Sequence, residues 1–122
     1  MMEENVFFTV KSRKTDEEGK ELFLIHLCEG HKVYEGHFPG KPVCPGVMTL
    51  SVVRQCAEQI AGRSLKWSEI KNCRFTGMLF PGYDVLAIVS MCPEENTFTV
   101  CAELVSPDNY ENQFLTLKGT LQ

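Results

Sequence analysis

The chain has 122 residues, 43% of them hydrophobic and 23% charged, with a formal net charge of −4. That length holds one domain, here 1–122, and little else. No apolar run approaches the roughly 18–20 residues that cross a bilayer, and the acidic start Met1-Met2-Glu3-Glu4-Asn5 has no signal-peptide character, so the expectation is a soluble, cytoplasmic, non-membrane domain.

Val6 to Arg13 is rich in strand formers, and Asp16-Glu17-Glu18-Gly19-Lys20 is a polar turn. Glu21 to Glu29 predicts a second strand. Its Phe23, Ile25 and Leu27 alternate with Leu22, Leu24 and His26, so both faces are expected to be substantially buried. From His31 to Pro45 the chain reads as loop. It contains His37-Phe38-Pro39-Gly40 and then Lys41-Pro42-Val43-Cys44-Pro45-Gly46, two Pro/Gly punctuations that fix its path. Val47 to Ala61 predicts a helix. Nine of its fifteen residues are apolar, it has no Pro or Gly, and Gly62 stops it. Apolar almost all round, it is expected to lie wrapped by sheet.

Four strands follow: Trp67 to Leu79, Tyr83 to Cys92, Thr97 to Val105 and Gln113 to Leu121. Pro81-Gly82, Pro93-Glu94-Glu95-Asn96 and Pro107-Asp108-Asn109 separate them. Two strands, one helix and four strands make an α+β layout, with one long buried helix against a curved antiparallel sheet of about five to six strands.

Six cysteines stand at 28, 44, 56, 73, 92 and 101, with no Cys-x-x-Cys pair. They read as reduced, and Cys28, Cys56 and Cys101, inside apolar runs, as buried small hydrophobes. Cys44 differs in lying within the loop motif. Three histidines without paired spacing predict no metal site, and no cofactor is implied. Residues 41–74 carry six basic groups against Glu58 and Glu69, a local +4 that leaves −8 on the remainder. Such a segment suits an acidic protein partner better than nucleic acid, for which there is no module.

The chemistry concentrates where the loop meets the helix. A helix N-terminus offers unpaired N–H groups and partial positive charge. An imidazole beside it can couple proton transfer to stabilisation of an oxyanion. Gly36 to Val47, with Gln55, resembles the pattern G-H-F-P-G-x-P-V-x-P-G-V-(x)3-E/D-(x)3-Q of the β-hydroxyacyl-acyl-carrier-protein dehydratases, the FabZ/FabA type of the hot-dog superfamily. Arg74-Phe75, with Phe80-Pro81-Gly82-Tyr83-Asp84, resembles that family's R-F-x-x-P-V-x-P-G-D, with Tyr83 inserted and Gly77 in place of a proline.

The resemblance implies a hot-dog fold and a homodimer, or a heterodimer with a similar hot-dog chain. It implies 3-hydroxyacyl thioesters, on acyl carrier protein or coenzyme A, as substrates in fatty-acid or specialised acyl-chain synthesis. Carried over by position, His37 is the base and the Gly46 N–H the oxyanion donor. Phe38, Val43, Pro45 and Gln55 contact substrate, and the Val43 carbonyl orients the imidazole. Arg54, Lys66 and Arg74 are the expected carrier-docking cations.

Ser51 departs from the pattern, standing where the family has a carboxylate. It either holds a substrate hydroxyl or bonds back to the Val47 carbonyl and contacts nothing else. Glu58 is roughly 10 Å further along the helix, too far to replace it directly. Glu35 or a partner chain are the other sources of an acid. A non-catalytic acyl-thioester-binding or scaffolding subunit is the first alternative function, and an acyl thioesterase the second. Restoring a carboxylate with Ser51→Glu is expected to raise turnover about tenfold or more.

Overall fold

The computed structural model describes residues 6–29 and 44–122. The elements are β1 (Phe8–Thr15), β2 (Glu21–Leu27), α1 (Gly46–Ala61), β3 (Trp67–Phe75), β4 (Asp84–Pro93), β5 (Phe98–Ser106) and β6 (Asn109–Leu121). The strands form one sheet in the order β1-β2-β4-β5-β6-β3, every neighbour antiparallel. The α+β hot-dog layout expected from sequence is this architecture.

The register explains where the core lies. Phe23 pairs with Ala87, Ala87 with Leu104, and Leu104 with Leu115. This row crosses four strands on one face and is at most 1% exposed. α1 covers that face with Val52, Val53, Cys56 and Ala57, all buried at helical spacing. The row continues to both edges. On β1 it reaches Arg13, whose guanidinium lies 5.0 Å from the Phe23 ring centroid and donates to the Gln59 carbonyl near the end of α1. On β3 it reaches Phe75, beside Gly46 at the helix start.

The curved sheet wraps the side of α1 that carries Val52, Val53, Cys56 and Ala57. Ser51, Arg54, Gln55 and Glu58 share the opposite side, and Val47 is 69% exposed. Several expectations need correction. β3 ends at Phe75, not Leu79. Thr76 donates its N–H to Phe114 and its hydroxyl to Gln113, and Cys44 N–H bonds Leu79, which draws the segment off the sheet towards the helix start. β6 starts four residues before Gln113, because Ser106 and Asn109 pair across a tight Pro107-Asp108 turn. Cys101 is exposed rather than buried, since strand alternation turns it to the outer face while Val100 and Ala102 face the helix.

Other expectations hold. Gly62 adopts φ 75° and closes α1 by donating to Glu58 O. On the outer face of β2, Leu22 is buried with Leu86 and Val105, while Leu24 and His26 are half-buried. All six cysteines are free.

Candidate active site

Pro45 caps the start of α1 in extended conformation (φ −65°, ψ 145°), with no side-chain cap hydrogen bond among the described residues. The first turn carries no acidic residue, so no side chain of that turn offsets its partial positive charge. Thr49 satisfies its hydroxyl by donating to Gly46 O at 2.6 Å. Position 46 requires a small residue: a Cβ there would meet Phe75 Cζ at 3.0 Å. Gly46 N–H therefore sits at the head of the helix, beside an aromatic face.

A cleft of about 260 Å³ opens at this point, lined by Cys44, Gly46, Thr49, Phe75, Leu79 and Phe114. Among the described residues Thr49 is the one lining side chain with a hydroxyl, and its proton is already committed, so this part of the cleft suits hydrocarbon. Its size lies just under the usual range for small-molecule sites. Phe75 and Met78 at its mouth are 54% and 61% exposed. Burial pushes the Cys44 thiol up to about 12. It is a neutral thiol at neutral pH and a poor nucleophile.

Ser51 is more heavily engaged than either sequence reading allowed. Gln55 Nε2 donates to its Oγ at 3.0 Å and Arg54 Nη2 at 3.3 Å. Arg54 Nη1 bonds Glu58 Oε2 at 2.8 Å, and that oxygen also accepts the Leu65 N–H at 2.9 Å. Arg54 and Gln55 stand three and four residues after Ser51, the spacing at which helix side chains meet. That spacing was the signal in the sequence that could have revealed the cluster. Among the described residues the Ser51 O–H has no acceptor.

The other site residues fall into two groups. Pro45 and Gly46 stand at the start of α1, and Ser51, Arg54 and Gln55 are brought together by hydrogen bonds further along it. His37, Phe38 and Val43, with Glu35, lie outside the described residues. Of the expected docking cations, Lys66 and Arg74 are exposed and form no ion pair among the described residues, while Arg54 is committed to Glu58. Lys66 immediately precedes β3 and Arg74 lies at its far end, roughly 25 Å apart at strand rise. Any basic surface there follows the edge of the sheet.

The second motif has a structural task. Gly82, at φ 89°, donates to Leu27 O, and Tyr83 O accepts from Leu27 N–H, which stitches the turn to the end of β2. Asp84 then bonds His26 Nδ1 and Lys11 Nζ, each at 2.8 Å. These contacts, Lys11 first, hold its carboxyl below the usual range. His26 is thus a satisfied residue of the outer face, as its strand position suggested.

The family model of the ApeI-like proteins, described as ApeI dehydratase, matches residues 12–107. A 3-hydroxyacyl-[acyl-carrier-protein] dehydratase FabZ from Dinoroseobacter shibae is 33% identical over 64 residues, 45% of this chain and 39% of its own length. The FabZ of Photorhabdus laumondii is 30% identical over 95 residues, covering 70% and 63%. The chain thus spans roughly two- to three-fifths of the length of these curated relatives. Among solved structures, the dehydratase heterocomplex ApeI:P from Xenorhabdus doucetiae superposes with a TM-score of 0.72 at 20% identity, covering 93% of this chain and 96% of that one. An uncharacterised protein from Erwinia carotovora gives 0.69 at 19%, covering 93% and 92%. The structural likenesses establish the fold. The family model covers most of the chain, including the loop motif and the helix it feeds, and the chain belongs to the ApeI-like dehydratase family.

Proposed function

We propose that this chain takes part in dehydrating 3-hydroxyacyl thioesters, carried on acyl carrier protein or coenzyme A, during fatty-acid or specialised acyl-chain synthesis. The observation that carries the reading is the His37-to-Gly46 motif, which leads in sequence into a helix with no acidic residue in its first turn and an apolar cleft at its head. In this reading His37 removes the C2 proton, made acidic by the thioester carbonyl. The Gly46 N–H receives the negative charge that develops on the carbonyl oxygen. The C3–O bond then breaks, the C2–C3 double bond forms, and the C2 proton and C3 hydroxyl leave as water.

A second hot-dog chain completes the unit. A cleft of about 260 Å³ is short for an acyl chain. β3 is an edge strand with its outer side unpaired and most of its residues exposed, and such an edge invites another strand. The ApeI:P structure is described as a dehydratase heterocomplex, which supports a similar hot-dog chain as partner. In that arrangement the acid absent at Ser51 comes from the partner.

The second reading is an acyl-thioester-binding subunit without turnover of its own. It is favoured by Ser51, whose hydroxyl is a poor acid. Mass spectrometry of 3-hydroxyacyl- and enoyl-carrier-protein interconversion, with and without a candidate partner, tests both. Interconversion that disappears in His37→Ala supports the first reading, and none under either condition supports the second. A stable monomer by light scattering at micromolar concentration counts against pairing.

A further inference from the structure

We propose that Arg54 is a positioning residue that makes Ser51 an oriented hydrogen-bond donor, so that this site recognises a ligand oxygen able to accept, the C3 oxygen of an acyl thioester. The proposal rests on the acyl-thioester reading above and adds to it a residue and a polarity.

A serine hydroxyl has two acceptor lone pairs and one donor. At Ser51 two N–H groups, from Arg54 and Gln55, already point at Oγ. Both acceptor positions are filled, and the O–H is what remains. Arg54 cannot drift from this duty, because its other terminal nitrogen is held by Glu58, which is itself fixed by the Leu65 N–H. The chain Leu65–Glu58–Arg54–Ser51 therefore ends in one hydroxyl proton with no acceptor among the described residues.

The charges fit the same conclusion. The Arg54 charge is balanced by Glu58 within the ion pair, so the cluster is not a general anion trap. The guanidinium still withdraws density from Ser51 Oγ and strengthens its O–H as a donor. A serine hydroxyl donates a hydrogen bond but is a poor acid. Position 51 thus offers a hydrogen bond to a ligand oxygen and not a transferable proton. An ionised carboxylate there would offer the reverse, an acceptor only.

The experiment compares two unreactive probes, the pantetheine amides of hexanoic and 3-oxohexanoic acid, which differ only in an accepting oxygen at C3. Binding is measured by calorimetry to the full chain, with its partner where one is required. The wild type is expected to hold the 3-oxo probe about fivefold more tightly, the worth of one net hydrogen bond. Ser51→Ala removes that preference, and Arg54→Gln reduces it below about twofold. Glu58→Gln, which keeps both Arg54 and an oxygen for the Leu65 N–H, retains it. A general loss of structure weakens both probes alike and leaves their ratio unchanged. An undiminished ratio in Arg54→Gln therefore overturns the role of Arg54. Equal wild-type affinity for both probes leaves the acyl-thioester reading standing and overturns the proposal. Binding of neither probe overturns both.

Discussion

Replacing Ser51 by glutamate supplies the carboxylate the family pattern has at this position, and from sequence alone that change should raise turnover about tenfold or more. The structure alters the expectation. A glutamate at 51 would meet the N–H groups of Arg54 and Gln55 that now serve Ser51 Oγ. Both favour the ionised form. An adjacent arginine commonly lowers a carboxyl pKa by about 1–3 units. Each unit costs a factor of ten in the protonated fraction, and only the protonated form can act as the acid. A general-acid advantage of roughly 100- to 10,000-fold is then cancelled in large part.

We therefore expect Ser51→Glu alone to raise the dehydration rate by less than about threefold at pH 7, and Ser51→Glu with Arg54→Gln to raise it about tenfold or more. Enoyl-carrier-protein formation, followed by mass spectrometry between pH 5 and 8 with any required partner present, is the assay. The rate of the single variant relative to the wild type should rise as pH falls, because protonating its carboxyl restores the acid while the His37 base is common to both. Losing Arg54 leaves Glu58 with the Leu65 N–H and a side chain 24% exposed, so the double variant should fold with a stability loss on the order of 1 kcal/mol. Equal rates for the single and double variants across this pH range, both folded by circular dichroism, would show that Arg54 does not govern the proton at position 51.

Three further outcomes follow from other parts of the molecule. Gly46→Ala should leave thermal stability within about 1 kcal/mol, since a helical Gly→Ala gain offsets displacement of the half-exposed Phe75 ring, yet it should lower turnover by crowding the Gly46 N–H. Unchanged turnover would place the oxyanion donor elsewhere. Asp84 is held below its ordinary range by Lys11 and then His26. Its contribution to stability is therefore present above the unfolded carboxyl value and lost as pH falls through the folded one. Urea unfolding should separate wild type from Asp84→Asn at pH 7 by less than about 1 kcal/mol, and the difference should shrink as pH falls below the usual carboxyl range. Alkylation of the native protein at pH 8 should label the exposed Cys92 and Cys101 first. Cys44 and Cys56, both pushed up to about 12 by burial, should react only on unfolding, as peptide mass spectrometry can establish.

The parts of the fold legible in the sequence were those set by short-range rules. Alternation of Phe23, Ile25 and Leu27 against Leu22, Leu24 and His26 fixed a strand and its two faces, and Gly62 marked the left-handed end of the helix. What escaped depends on pairings distant in the chain. β3 stops at Phe75 where the segment after it is tied to the helix start, the Cys44 N–H donating to the Leu79 carbonyl. Cys101 lies in an apolar run, yet parity along β5 turns it outward. The tight fit around Gly46 is set by a ring 29 residues away, carried there by the register of β3 on β6.

The site divides along the same line. The loop motif could be read because its residues are contiguous and their order is specific. The polar side of α1 was equally local, since Ser51, Arg54, Gln55 and Glu58 follow helical spacing, but a count of apolar residues hid it. Nine apolar residues in fifteen describe an average over the cylinder, whereas function depends on the side the sheet leaves open. On that side a serine stands where an acid is expected, with an arginine bonded to it. Losing the carboxylate alone would leave position 51 inert. Losing it beside an arginine that bonds the replacement gives the position a different polarity, which suits holding an oxygen while the proton comes from another chain.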